Sequence, residues 1–374
     1  MKIGFIGDLI LSPELVIHEK ITALLRGNDF NVANLEAPFI HKGKRPVLKS
    51  GLHQLVSDPG MLHDLNIKAV SLANNHMKDY GPEGIELTQK VLSQHGIQFF
   101  GAGSSLEEAI RPAKLQIENQ SLHFWGFMQR FYAKRHFATA HSGGTAELKR
   151  ELMIRELDSS EADIKIVYNH WNLELESYPE PVNKDLAEEL ARHCTLVIGS
   201  HPHCIQGIQT SGNALIFHSL GNFSMPALDY SGTTLVEYPE ISRESMIVTI
   251  TLEGKKPHYD IHPITLDRSG SVVSCPDKEK KKQILSRIDT ISEPLALGYK
   301  NYLHFYKQNK KRKLMPTQVK NRYLNRFRLF SYFSFIRMLQ FVEGNLARFL
   351  SKIGLLGPVK RWFSGILDYI HSNR

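Results

Sequence analysis

Ser71-Leu72-Ala73-Asn74-Asn75-His76-Met77-Lys78-Asp79-Tyr80-Gly81 ends a strand-like run, Ala69-Val70-Ser71-Leu72, on a group of amide, imidazole and carboxylate side chains. Such side chains at the point where a strand leaves its sheet lie where open α/β folds gather ligands. Four further blocks repeat the arrangement. Gly7-Asp8 follows Lys2-Ile3-Gly4-Phe5-Ile6, and Asn34-Leu35-Glu36 comes next in the chain. His170-Trp171-Asn172-Leu173-Glu174 follows Ile164-Lys165-Ile166-Val167, and Gly199-Ser200-His201-Pro202-His203 follows Leu196-Val197-Ile198. One histidine after a strand is ordinarily structural, and His-x-His arises by chance in a chain with 18 histidines. Five such blocks together form a pattern. Hard oxygen donors with neutral imidazoles suit Mn, Fe, Zn or Mg, and the spacing is that of a two-metal centre.

These blocks resemble those of the poly-gamma-glutamate capsule-synthesis (CapA) family, whose domain belongs to the calcineurin-like metallophosphoesterase superfamily. The resemblance spans about residues 1 to 265. It also rests on Asn34-Leu35-Glu36-Ala37-Pro38, Gly101-Ala102-Gly103 and Ser219-Leu220-Gly221-Asn222-Phe223. It implies that Asp8 and His203 hold one divalent cation, that Asn75, His170 and His201 hold the other, and that Glu36 bridges them. It further implies that His76 is a general acid or phosphate contact oriented by Asp79, with Asn74, Glu174 and Asn222 supporting the centre or touching substrate. Two cations so placed would acidify a bound water and neutralise charge on a phosphoryl group, while an imidazole protonates the leaving oxygen.

Two departures matter. The phosphoesterases usually carry a histidine two residues after the first aspartate, whereas Asp8 is followed by Leu9 and Ile10, so one site loses a nitrogen ligand. Asn172 stands where the capsule family commonly has glycine. Bland roles are also open: Asn34 and Asn74 as caps or turn formers, Glu36 and Asp79 as charges at helix N-termini, Gly221-Asn222 as a turn, and Trp171 as a packing residue.

At 374 residues the chain is longer than one core usually serves. Its three cysteines provide no disulfide framework, which suggests a reducing compartment. The first strand begins at Lys2, leaving no room for a signal sequence, and no run of eighteen apolar residues occurs. The expected location is cytoplasmic, with peripheral attachment to the inner face of the membrane. Helices are expected over residues 12 to 28, 82 to 95 and 185 to 193, and strands over 214 to 218, 244 to 252 and 259 to 264. This alternation fits an α/β fold, the superfamily's layered metallophosphoesterase-like architecture, with two packed mixed β-sheets flanked by helices. The expected layout is a domain over 1–270, a connecting segment over 271–299, and a basic amphipathic helical extension over 300–374.

Charge sets the extension apart. Residues 300–374 hold 16 Lys and Arg against Glu343 and Asp368, a net +14, which leaves −6 on residues 1–299. On a helix, Phe327, Phe330, Phe333, Met338 and Phe341 share one side, flanked by Arg322, Arg326, Arg328 and Arg337. That composition suits an anionic membrane surface through residues 310–374, or a partner-protein contact. Nucleic acid ranks last, because no recognition motif accompanies the charge. The leading expectation is a metal-dependent phosphoesterase-like enzyme acting on a phosphorylated or lipid-linked intermediate of capsule or other envelope polymer synthesis. The alternatives are a non-catalytic metal-binding scaffold for a polymer synthase, or a membrane-surface module acting through the basic tail.

Overall fold

A computed structural model describes residues 1–310, except 45, 48–50, 56–58, 132–135, 227, 230–234, 238 and 254–255, together with 317–318. The described residues belong to the unit Met1–Val319. The expected helical tail beyond it, Lys320–Arg374, lies outside the described residues, as do Lys311-Arg312-Lys313.

The chain first lays down β1 (Lys2–Leu9), α1 (Glu19–Arg26), β2 (Phe30–Leu35), β3 (Ile67–Ser71), α2 (Gly81–Gln94) and β4 (Gln98–Phe100). A second run gives β5 (Gln120–Met128), α3 (Arg150–Asp158), β6 (Ile164–His170), α4 (Pro181–Leu190), β7 (Leu196–Ser200) and β8 (Ala214–Phe217). The chain then returns through β9 (Asn222–Ser224), β10 (Glu244–Glu253), β11 (Lys256–Leu266) and β12 (Val272–Ser274), and continues into α5 (Lys278–Ser292) and α6 (Tyr299–Asn309). One sheet has nine strands in the order Val16–Ile17, β12, β11, β10, β1, β2, β3, β4, with β9 also paired to β1. The other has six, in the order Ile208–Ser211, β8, β7, β6, β5, Ala113–Ile117. Within them β1, β2, β3 and β4 run parallel, as do β5, β6, β7 and β8.

Strand alternation explains the layering, since successive side chains leave a strand on opposite faces. Ile3 and Phe5 of β1, Val32 of β2, Tyr168 of β6, Ile198 of β7 and Val248 of β10 share one buried cluster, so the two sheets pack face to face. Ile6, Ala33 and Val70 point the other way and meet Ile21 and Leu25 of α1 and Ile85 and Leu92 of α2. Val167, Val197 and Ile216 meet Leu157 of α3 and Leu186 and Leu190 of α4. Both faces of each sheet are therefore covered, and the strands read as near-continuous apolar runs. The Tyr168 hydroxyl ties the layers by donating to the Ile6 carbonyl at 2.6 Å.

Some boundaries differ from the sequence reading. The first helix is confined to α1, because Val16–Ile17 pair with Val272 and Val273 instead of coiling. The helix expected from residue 185 opens four residues earlier, at Pro181, where proline suits the first turn. Residues 271–299, read as a connection, contain β12 and α5. The Lys280-Lys281-Lys282 run disguises the buried Ile284, Ile288 and Ile291, spaced by four and three and inserted into the core between the sheets. Helix α6 also packs on this unit, with the Tyr302 hydroxyl donating to Pro179 O at 2.8 Å. Among the described residues, no helix is long and apolar enough to cross a membrane.

Candidate metal centre

The polar blocks stand where the parallel strands end. Asp8 is the penultimate residue of β1, Glu36 follows β2, Asn75 follows β3, His170 closes β6, and His201 and His203 follow β7. Asn222 opens β9 and is the register partner of Asp8. The two sheets thus present their carboxyl ends to a common space. Glycines permit the approach. A Cβ on Gly7 would lie 1.8 Å from Gly221 O, and one on Gly199 would lie 1.9 Å from His218 O.

Asp8 and Glu36 are fully buried. Asn34 donates through Nδ2 to Asp8 Oδ1 at 2.8 Å and also to Glu36 Oε2. The other Asp8 oxygen lies 3.2 Å from His203 Nδ1 and accepts from the backbone N–H of His201 at 3.3 Å. His170 Nε2 is 2.6 Å from Asn75 Oδ1 and 3.7 Å from Glu36 Oε1, while its Nδ1 meets Ser200 Oγ at 3.1 Å. The His201 ring centroid lies 4.6 Å from that of His170 and 5.9 Å from that of His203. His203 Nδ1 also meets Asn222 Oδ1 at 2.8 Å. The six side chains expected to hold metal therefore form one connected group.

His76 lies at the edge of the centre, its side chain 14% exposed, with Nδ1 3.0 Å from Asp79 Oδ2. Asp79 is anchored in turn by the Leu52 N–H at 3.0 Å. Asn74 holds the chain: its Oδ1 accepts from the N–H groups of His76 and Met77 at 3.2 and 2.9 Å. Glu174 is exposed, near enough for its charge to raise the pKa of both Glu36 and His203. Trp171 is a packing residue, fully buried and donating to His218 O at 2.9 Å. Asn172 has a φ of 69°, a left-handed conformation that asparagine tolerates better than most side chains.

Burial and then the neighbouring Asp8 push the Glu36 carboxyl well above its ordinary range. Burial, and secondarily the other imidazoles, push His170 well below the usual histidine value, so it is a neutral donor. Burial also pulls at His203, but the hydrogen bond and charge of Asp8, with Glu36 and Glu174, outweigh it and raise the imidazole to about 9. Such an arrangement wants positive charge between the carboxylates. Glu36 Oε1 is buried without a hydrogen-bond partner, and one donor atom each from Asp8, Glu36 and His170 lies within 4.8 Å of the others. Buried carboxylate oxygens beside neutral imidazole nitrogens fit a divalent cation.

The bacterial capsule synthesis protein PGA_cap family model matches residues 14–227. The chain belongs to this family. Asp8 precedes the matched residues, and its carboxylate meets Asn34 and His203 within them. The chain is 24% identical over 305 residues to the PGA biosynthesis protein CapA of Bacillus subtilis (strain 168), an alignment covering 77% of each protein. It is 24% identical over 244 residues to the capsule biosynthesis protein CapA of Bacillus anthracis, covering 60% of this chain and 59% of that one. Similar solved structures include a phosphatase from Mycoplasma pneumoniae (TM-score 0.45, 10% identity, 75% of this chain and 96% of the other). A hypothetical protein from Thermus thermophilus is another (TM-score 0.44, 14% identity, 70% and 98%).

Sequence reasoning missed Phe131, whose ring centroid lies 4.0 Å from that of His201 and 6.2 Å from that of His170. The signal was available: β5 ends beside β6, with Met128 in register with His170, so the residues just after Met128 must emerge at the same end of the sheet.

Proposed function

We propose that this PGA_cap family chain is a divalent-metal-dependent phosphoesterase-like enzyme serving capsule or other envelope-polymer synthesis, with a phosphorylated or lipid-linked intermediate as its substrate. The observation carrying the reading is the fully buried pair Asp8 and Glu36 facing neutral His170, with Glu36 Oε1 lacking a hydrogen-bond partner. Asp8 and His203 would hold one cation and Asn75, His170 and His201 a second, with Glu36 between them. A bound cation would supply charge neutralisation on a phosphoryl oxygen and acidify water. The chain's residues do the rest. Asp79 engages His76 Nδ1, so a proton delivered to the leaving oxygen leaves from Nε2. Asn222 and Asp8 fix the His203 ring, and Ser200 fixes that of His170, leaving Nε2 directed at Asn75 and Glu36.

A second reading, a metal-binding scaffold without turnover, is favoured by Leu9 and Ile10. Both side chains are buried in the core, so the nitrogen ligand absent from the sequence is not replaced from that segment. We assign the basic tail to an anionic lipid surface or a partner protein in either reading. Metal analysis of protein purified without chelator, followed by assays on phosphomonoesters, phosphodiesters and lipid-linked phosphates, tests the proposal. Metal-dependent turnover lost in His76→Ala and His201→Ala supports the enzyme. Metal binding with no turnover supports the scaffold, and no binding of Mn, Fe, Zn or Mg overturns both.

A further inference from the structure

Asn34 and Asn74 are joined in a way that the ligand set does not require. Both are fully buried. Both hydrogens of Asn34 Nδ2 are used, one on Asp8 Oδ1 and one on Glu36 Oε2. Its Oδ1 accepts from Asn74 Nδ2 at 3.1 Å, and the same Asn74 nitrogen donates to Leu35 O at 2.8 Å. Asn74 Oδ1 takes the backbone N–H groups of His76 and Met77. Every donor and acceptor position of Asn74 is filled, and neither amide can turn over, because a flipped Asn34 would set its carbonyl against two carboxylates.

A chain of aligned dipoles therefore runs from the His76 N–H, through the two amides, to Asp8 and Glu36. Hydrogen bonds in series polarise one another in a low-dielectric interior, and a donor onto an ionised acceptor is the stronger kind. The shared Nδ2 holds two mutually repelling carboxylates at a fixed separation, and the far end of the same chain fixes the turn bearing His76. We infer that Asn34 is the principal positioning residue of the centre and that Asn74 acts through it, coupling the placement of the Asp8–Glu36 pair to that of His76. This rests on the metal reading given above.

Asn31 supplies the control. It lies on β2 with Asn34, is equally buried, and has a comparably complete set of bonds: Nδ2 donates to Leu25 O and Leu65 O, and Oδ1 accepts from Asn28. None of these partners belongs to the centre. The test is titration of the full-length, chelator-stripped protein with Co(II), following the visible ligand-field bands. Asn34→Ala should weaken Co(II) binding about 10–100-fold, as expected for a group orienting metal ligands, and shift the bands. Asn74→Ala should do the same to a smaller extent, and the double variant should bind no worse than Asn34→Ala, since both act through one amide. Asn31→Ala should lower Tm while keeping Kd within about twofold of wild type and the bands unchanged, since it touches no ligand. If Asn34→Ala does not fold, Asn34→Ser and Asn74→Ala carry the test with the same expectation. Wild-type binding with an unchanged Kd and bands in these variants, or an equal loss in Asn31→Ala, overturns the inference alone. Wild-type protein that takes up no Co(II), Mn(II) or Zn(II) overturns the metal reading and the inference with it.

Discussion

The nine-stranded sheet contributes carboxylates and amides to the centre, whereas the six-stranded sheet and the residues following it contribute imidazoles, and the two halves are held by different means. On the acidic side Asp8, Glu36 and Asn75 sit on ordinary backbone, and buried amides do the orienting. On the imidazole side the backbone itself is displaced, with φ of 93° at His201 and 55° at His203. A tilted ring contact with Phe131 and hydrogen bonds with Ser200 and Asn222 add to the hold. Buried acids need donors to stay apart, while the neutral His170 ring carries no charge that must be offset. The acidic half thus stores its cost in electrostatics and the other half in backbone conformation.

The largest expected effect comes from removing one half's chemistry. Glu36→Gln should reduce affinity for Mn(II) or Zn(II) by more than the roughly 100-fold upper bound typical of losing a supporting hydrogen bond. It should also raise the Tm of the metal-free protein, because one of two buried, facing carboxylates becomes neutral. Calorimetric titration and thermal melts would check both, and a lower metal-free Tm would break the contrast. Next is the boundary between the halves. Because Asp8 holds His203 protonated up to about 9, metal uptake must displace that proton. Affinity of the His203 site should rise with pH up to about pH 9, with the His203 proton released as metal binds. Buffers of different ionisation enthalpy would count it.

A smaller effect isolates the strained half. His201→Gly and His201→Ala both delete the ring, but only glycine relieves the positive φ, so the glycine variant should be more stable by about 1 kcal/mol in chemical denaturation. Equal stabilities would remove backbone strain from the account. The smallest effect concerns His218, an imidazole on the same side but without an acidic neighbour. Burial, and secondarily Lys184, hold it down to about 3. Its folded pKa lies below the unfolded value, so its contribution is present above about 6.5 and lost as pH falls towards 3. His203 in metal-free protein has the opposite sign, contributing below about 6.5 and losing that contribution as pH rises through about 9. His218→Phe should flatten only the acid limb of a Tm–pH curve.

The strand ends were legible because each ligand interrupts an apolar run, as Asp8 does after Phe5-Ile6 and His201 after Val197-Ile198. The layered sheets followed from the same runs, buried on both faces. Other features were not legible from local pattern. Asn34 looked like any asparagine at a turn, since its partners Asp8, Glu36 and Asn74 meet it only through parallel pairing of β1, β2 and β3. Phe131 belongs to no polar block and reaches His201 through sheet register. The three isoleucines of α5 were hidden by the lysines around them, because charge dominates composition while spacing decides burial.

The position of β1 has a consequence for the order of assembly. It precedes both β2 and β10 in the chain, yet it lies between them in the sheet, and its Asp8 meets His203 from far along the chain. While a ribosome is still reading the middle of the message, β1 lacks its antiparallel neighbour and Asp8 its imidazole, and contacts of such long range form late. Metal captured at this centre would therefore mark a chain whose synthesis has passed His203.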